Sequence, residues 1–238
     1  MFSFLFRKKK QADPKPMMKA FYQKWITPGS LVFDIGANVG NRIDIFLELG
    51  ANVVAVEPQK ECIQTLREKF GTRISIENIG LSNKEGELDF HLANESTISS
   101  FSGEFISKTS ADRFKRNKWE KTIKVNVSTF DKLIEKYGVP RFSKIDVEGF
   151  ELEVLQGLNQ KVSALSFEYC VPEMSGKLYE CLERIKLLDP SASYNYSVGE
   201  SFSLSAANWL SFADFSALVK ERAFHKTGFG DIYVQFSK

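Results

Sequence analysis

The sequence predicts an α/β fold built on one doubly wound, mainly parallel sheet. Three observations predict it. An apolar run at 31–35 ends in a glycine-punctuated turn and passes at once into a helical pattern. Further strand-like runs follow, with helix-like stretches between them, as βα units require. The chain then closes on alternating segments and a last apolar run at 231–236, which read as an antiparallel finish.

Taken in order, the pattern at 17–25 predicts a short leading helix, stopped by Thr27, Pro28 and Gly29. A first βαβ unit spans 31–57, with Val39, Ile43, Phe46 and Leu47 at helical spacing. Ile63, Leu66 and Phe70 mark a second helix that Gly71 terminates. Residues 73–79 alternate as a third strand should, and 86–92 form another, with Leu88, Phe90 and Leu92 on one face. The polar, Ser-rich stretch at 93–118 has no pattern and reads as a lid-like insertion near 93–120. A strand at 123–127 and a helix opened by Ser128 follow; Phe130, Leu133, Ile134 and Tyr137 are its buried stripe. Residues 142–147 read as the fourth parallel strand and 162–168 as the fifth, with a helix through Val154, Leu155 and Leu158 between them. Leu178, Cys181, Leu182, Ile185 and Leu188 mark a helix, and Phe212, Phe215, Leu218 and Val219 another before the last strand. The 21 phenylalanines mostly fill the layers.

At 238 residues the chain fits a single domain at 17–238, preceded by a tail at 1–16. Its 43% hydrophobic and 26% charged content is that of an ordinary globular protein. The three cysteines have no C-x-x-C spacing, which is read as a reduced, cytoplasmic compartment. No apolar stretch is long enough to span a bilayer. In the tail, Phe2, Phe4, Leu5 and Phe6 precede Arg7, Lys8, Lys9 and Lys10, an order opposite to that of a signal peptide. It suits a weak, peripheral contact with a membrane surface; the competing and favoured reading is a disordered or partner-packed tail. The net charge of +2 specifies no polyanionic partner. Arg113, Lys115, Arg116, Lys118, Lys121 and Lys124, interleaved with Phe114 and Trp119, read first as a solvated lid face and next as a contact for a small anion. Nucleic acid ranks third and is not expected. No feature specifies an oligomeric state.

The chemistry is concentrated in the run Asp34-Ile35-Gly36-Ala37-Asn38-Val39-Gly40. Gly36 and Gly40 let backbone approach a ligand, and the helix start offers free N–H groups. The D-x-G-x-N-x-G pattern lacks the third glycine of a dinucleotide loop, which counts against a nicotinamide-binding oxidoreductase. Asp34 is poorly placed for a pyrophosphate and well placed for a cationic ligand. Glu57 ends the next apolar run, where a carboxylate accepts the two hydroxyls of a ribose. A ribose acceptor beside an acid for a positive group suits S-adenosylmethionine. Gly80, Leu81 and Ser82 then fall where the adenine would lie.

These segments resemble the FkbM family of S-adenosylmethionine-dependent methyltransferases. The resemblance is carried by 34–40, Glu57-Pro58, 80–82, 125–131, the K-I-D-V-E-G-F-E run within 144–157, Phe167-Glu168 and 230–233, and spans about 31–236. It implies a class I methyltransferase, a Rossmann-like doubly wound sheet of seven strands whose last strand is antiparallel. It implies methyl transfer to a hydroxyl, usually of a sugar or polyketide-like acceptor. By matched position Asp34, Gly36, Asn38 and Gly40 would hold the methionine part, Glu57 the ribose, and Leu81 and Ser82 the adenine. Phe130 stands where the family commonly has Leu, and Phe150 where it has Ala; both read as packing changes.

Methyl transfer from a sulfonium needs alignment and, for a hydroxyl acceptor, a base near the attacking oxygen. Asp146, Glu148 and Glu151 are the candidates, since the fourth strand ends at the cofactor crevice of an open α/β sheet. Neighbouring carboxylates raise one another's pKa, which helps one of them act near neutrality. In the competing reading, Asp146 binds the cofactor's amino group or caps the helix, and Glu151 pairs with Lys144. Glu168 ends the fifth strand, and by analogy with catechol-type enzymes it and Asp146 offer two ligands for Mg²⁺. A third ligand is not apparent and no metal is assigned. His91 reads as structural; His225, before the last strand, reads as a loop residue within possible reach of the acceptor. The expected function is O-methylation of a small polar acceptor, a sugar or glycan precursor. The alternatives are a lipid, polyketide-like or nitrogen acceptor, or a non-catalytic cofactor-binding adaptor.

Overall fold

Short runs of Val, Ile, Leu and Phe bounded by turn residues become strands, and the amphipathic stretches between them become helices. The structure, a computed structural model, describes residues 13–237; the apolar and basic run at 2–10 lies outside them. The first half of the chain holds α1 (Lys15–Tyr22), β1 (Leu31–Ile35), α2 (Ile43–Glu48), β2 (Asn52–Val56), α3 (Lys60–Phe70), β3 (Ser75–Glu77), β4 (Gly80–Leu81) and β5 (Gly86–Leu92). The middle holds α4 (Gly103–Thr109), β6 (Lys121–Ser128), α5 (Phe130–Tyr137), β7 (Phe142–Ile145) and α6 (Glu151–Gln156). The remainder holds β8 (Ala164–Cys170), α7 (Ser175–Leu188), β9 (Ser193–Val198), α8 (Phe212–Leu218), α9 (Arg222–His225) and β10 (Phe229–Gln235).

Seven strands form one sheet in the order β3-β2-β1-β7-β8-β10-β9. β3, β2, β1, β7 and β8 pair in parallel, and β10 runs antiparallel to both β8 and β9. This is the doubly wound α/β sheet with an antiparallel last strand that the sequence predicts. The strand order reverses between β1 and β7, the place where open α/β sheets bind ligands. A smaller sheet, β4-β6-β5, stands beside it, with β5 antiparallel to β6.

Alternation along each strand gives the large sheet two covered faces. Val32, Phe142, Ala164 and Tyr233 pack with Phe21, Tyr22 and Trp25 of the N-terminal segment and with Ile43 and Phe46 of α2. Phe33, Ile145, Leu165, Phe167 and Ile232 pack on the other side with residues of α5, α6 and α7. Towards the carboxyl ends of the parallel strands the first face turns polar. Two residues beyond Val32, Phe142 and Ala164 come Asp34, Lys144 and Ser166, and Glu168 follows Ser166 by two. Register places Asp34 beside Lys144, Lys144 beside Ser166, and Glu168 beside Asp231. A row of ionisable groups thus lines one edge of an otherwise apolar layer.

Several elements differ from expectation. The strand read at 73–79 is shortened to β3, and Gly80–Leu81 after it pair separately as β4 of the small sheet. Val39 belongs to the loop and α2 starts only at Ile43, because the turn after β1 needs the intervening residues. Ser128 pairs in β6, so Thr129 caps α5, its side chain accepting from Lys132 N at 3.2 Å. The stretch read as a patternless lid contains α4, capped by Ser102 with Phe105 N donating to its Oγ at 3.0 Å. Phe105 and Ile98 are buried, and the Phe101 ring lies 5.3 Å from that of Phe150 and 4.6 Å from that of Phe90. Phe130 is fully buried with its ring 5.9 Å from that of Phe33.

Candidate active site

A cleft of about 440 Å³ opens at the carboxyl ends of β1, β2, β7 and β8, within the size range of small-molecule sites. Its floor is the turn after β1. Gly36 there has φ 82°, and a Cβ on it would lie 1.8 Å from the backbone oxygen of Asp146. Only glycine lets the ends of β1 and β7 approach this closely. Gly40 does other work: it lies off the cleft wall and a Cβ on it would strike Phe70 of α3 at 2.5 Å. In this structure it serves loop packing against α3.

Glu57 is buried, and its carboxylate accepts from the backbone N–H of Asn38 at 2.8 Å and of Gln59 at 2.8 Å. Burial pushes its carboxyl up to about 7, with those two N–H groups opposing the rise. Each oxygen keeps a lone pair that can take a hydroxyl donor. Asn38, at φ 47°, bridges the turn to the insertion, its amide donating to Ser96 Oγ at 3.2 Å. Burial also pushes Asp34 up to about 6, against the pull of Lys144 and Arg42. Ile79, Gly80 and Leu81 form an apolar wall beyond Glu57. Ser82 does not reach the cleft: its N–H donates to Ser128 O at 2.8 Å and its side chain is buried behind that wall.

The other end of the cleft is acidic. Carboxylate oxygens of Asp146, Glu148 and Glu168 lie within 4.8 Å of one another, a spacing that could hold a divalent cation. Glu148 thereby supplies the third ligand position not apparent from sequence. β7 ends at Ile145, so Glu148 reaches this cluster through a turn, at φ 55°, rather than by strand alternation. Ser100 of the insertion donates to Glu148 O at 2.6 Å and holds that turn. Burial and the neighbouring acids push both Glu148 and Glu168 well above the ordinary carboxyl range. Asp146 is engaged by the buried Lys144 ammonium. Glu151 points elsewhere; its Oε1 accepts from Val147 N and Gly149 N, both at 3.2 Å, and it closes the turn instead of lining the cleft. It does not pair with Lys144.

Arg42 and Glu200, which no motif marks, meet at the cleft. The insertion adds Ser96, Thr97, Ser99 and Phe101 to the wall, and their spacing carries no signal of it. Neither histidine lines the cleft. His91 Nδ1 lies 3.1 Å from Thr122 Oγ1, and His225 Nε2 lies 3.1 Å from Val219 O and 3.5 Å from Tyr179 Oη. Within the basic run, Arg113 is bound to Glu173, Val171 O and Gly228 O, and Lys124 to Asp89. The three cysteines are free thiols. Among the described residues no helix is long and apolar enough to cross a membrane.

Residues 34–198 match the family described as Methyltransferase FkbM domain. The chain is 29% identical over 143 residues to the hexuronic acid methyltransferase AglP of Haloferax volcanii. That alignment covers 58% of this chain and 53% of AglP, so the chain spans about half the length of that curated relative. Among solved structures, a TehB-like SAM-dependent methyltransferase from Corynebacterium glutamicum is 8% identical, with a TM-score of 0.48 over 93% of this chain and 88% of that one. A Streptococcus mutans protein in complex with SAH is 13% identical, with a TM-score of 0.44 over 95% and 99%.

Proposed function

Since the chain belongs to the FkbM methyltransferase domain family and is an S-adenosylmethionine-dependent methyltransferase, we propose that it methylates a hydroxyl oxygen of a small polar acceptor, a sugar or glycan precursor. The observation that carries this reading is the acidic cluster facing the glycine turn across one cleft. A hydroxyl, barely ionised at neutral pH, must lose its proton as it attacks, and a carboxylate at the acceptor end of the cleft can take it. The hexuronic acid named for the relative supports a carbohydrate acceptor.

The residues of the cleft fit the cofactor. Glu57 would take the ribose hydroxyls, Ile79 and Leu81 the adenine faces, and Asp34 the ammonium of the methionine end. The bound cofactor supplies an electrophilic methyl group on a sulfonium. Against it, Glu148 and Glu168 hold the acceptor hydroxyl and one of them takes its proton. Two carboxyls this close share a proton, so one stays ionised near neutrality while the other donates a hydrogen bond. Asp146, tied to Lys144, orients this pair instead of serving as the base. Phe90 and Phe101 keep water from the adjoining wall.

The test is to incubate the chain with S-adenosylmethionine and a panel of free and nucleotide-linked sugars, uronates included, and to read products by mass spectrometry. A gain of one CH₂, located on oxygen by fragmentation and lost in Glu168→Gln, is expected. Methylation found on nitrogen would overturn the acceptor assignment.

A further inference from the structure

We propose that Arg42 receives the carboxylate of the cofactor's methionine end on its guanidinium. This rests on the cofactor being S-adenosylmethionine, and goes beyond it by naming the residue that reads the amino-acid tail.

Among the described residues two cations line the cleft, Lys144 and Arg42. Lys144 is engaged by Asp146. Arg42 gives one terminal nitrogen to Glu200 and stacks on the Phe202 ring, 5.1 Å from its centroid. Its side chain is only 15% exposed, and its Nε is buried with no hydrogen-bond partner among the described residues. A buried, charged donor left without an acceptor is costly, and a guanidinium edge matches a carboxylate in geometry and charge.

The position selects which carboxylate. Arg42 follows Gly40 by two residues and caps α2, the helix joining β1 to β2. Its backbone therefore starts beside the glycine turn, while its side chain runs to Glu200 and Phe202 after β9. A ligand with its ribose on Glu57 brings an ammonium and a carboxylate to its far end. The chain offers Asp34 for the first and Arg42 for the second, and the charge of Arg42 is felt at Asp34. Glu200 and Phe202, from the loop after β9, hold the guanidinium in place, and Glu200 engages one of its terminal nitrogens.

Calorimetric titration of the full chain with S-adenosylhomocysteine and with 5′-methylthioadenosine separates this role from a structural one, because the second ligand lacks the amino-acid tail. In Arg42→Met the dissociation constant for S-adenosylhomocysteine should rise roughly tenfold to a hundredfold, the range for losing a charge-assisted hydrogen bond. That for methylthioadenosine should move less than about twofold. Arg42→Lys, which keeps the charge and loses the fork, should weaken the first ligand severalfold and spare the second. Equal weakening of both ligands in either variant, or no weakening of the first, overturns the proposal. If the unaltered chain binds neither ligand, the cofactor assignment fails and the role of Arg42 falls with it.

Discussion

Lys144 donates to the carboxylate of Asp146 two residues further on, and the pair sits at the junction of the cofactor and acceptor ends of the cleft. The ammonium is 4% exposed and its partner 33%. Breaking a fully buried pair costs about 3–5 kcal/mol because a charge is left unpaired. Here the open side of Asp146 and the nearby Asp231 carboxyl temper that loss. Asp146→Asn should therefore destabilise the chain by roughly 2 kcal/mol. Adding Lys144→Met should recover most of it, as urea denaturation of the single and double variants would show. Equal destabilisation in both would mean that the ammonium is not the group left stranded.

Cofactor affinity should depend on pH through Glu57. Its carboxyl is pushed up to about 7, and only the ionised form accepts two hydroxyl donors. Binding therefore favours loss of the proton, and affinity should climb as pH rises towards 7 and level off above it. Asp34, raised to about 6, adds to the slope at the acid end. Titrations with S-adenosylhomocysteine between pH 5.5 and 8.5 check this, and Glu57→Gln should bind more weakly with a flatter profile. A flat profile for the unaltered chain would remove Glu57 from the ribose site.

Much of the fold is legible because local period and sheet position agree. Leu31–Ile35 reads as a buried strand, and Glu57 at a strand tip is found by counting along the chain. What escapes reading depends on contacts distant in sequence. Glu148 faces Glu168 only because its turn adopts a left-handed conformation held by Ser100, 48 residues earlier. Arg42 is poised by Glu200, 158 residues later. The insertion looks patternless because its apolar residues, Ile98, Phe101 and Phe105, sit among serines that bond to one another's backbone. Motif position points Gly40 and Ser82 at the ligand, but it does not say which way a residue faces, and neither lines the cleft.

The unliganded chain should be more stable at pH 5 than at pH 8. Burial raises the carboxyls of Asp34 to about 6 and of Glu57 and Glu151 to about 7, and lifts Asp231, Glu148 and Glu168 as well. Between pH 4 and 7 the unfolded chain has released these protons while the folded one retains them, so stability falls as pH rises through that window. The carboxyls held low, Glu173 and Asp189, lose their contribution only further into acid. Thermal melts across this range test the sign. Glu151→Gln, which lies outside the cleft, should shrink the difference.

Methyl transfer is expected to survive EDTA. Lys144 offsets the charge of Asp146, and a proton shared by Glu148 and Glu168 offsets much of the rest, so the cluster is near balance without a cation. Activity lost on chelation and restored by Mg²⁺ would instead assign the three carboxylates as ligands.

Two glycines with nearly the same backbone separate strain from contact. Gly29 and Gly36 have φ of 83° and 82°. A Cβ on Gly29 meets nothing within 4 Å, while one on Gly36 lies 1.8 Å from Asp146 O and 2.8 Å from its carbonyl carbon. Gly29→Ala should cost only the left-handed penalty, about 1–2 kcal/mol, and leave S-adenosylhomocysteine binding unchanged. Gly36→Ala carries the same penalty and must also push the ends of β1 and β7 apart, displacing Asp146 from Lys144 and Glu148 from Glu168. It should lose cofactor binding and melt well below the Gly29 variant. If the two variants bind and melt alike, the close approach of those strand ends is not what shapes the cleft.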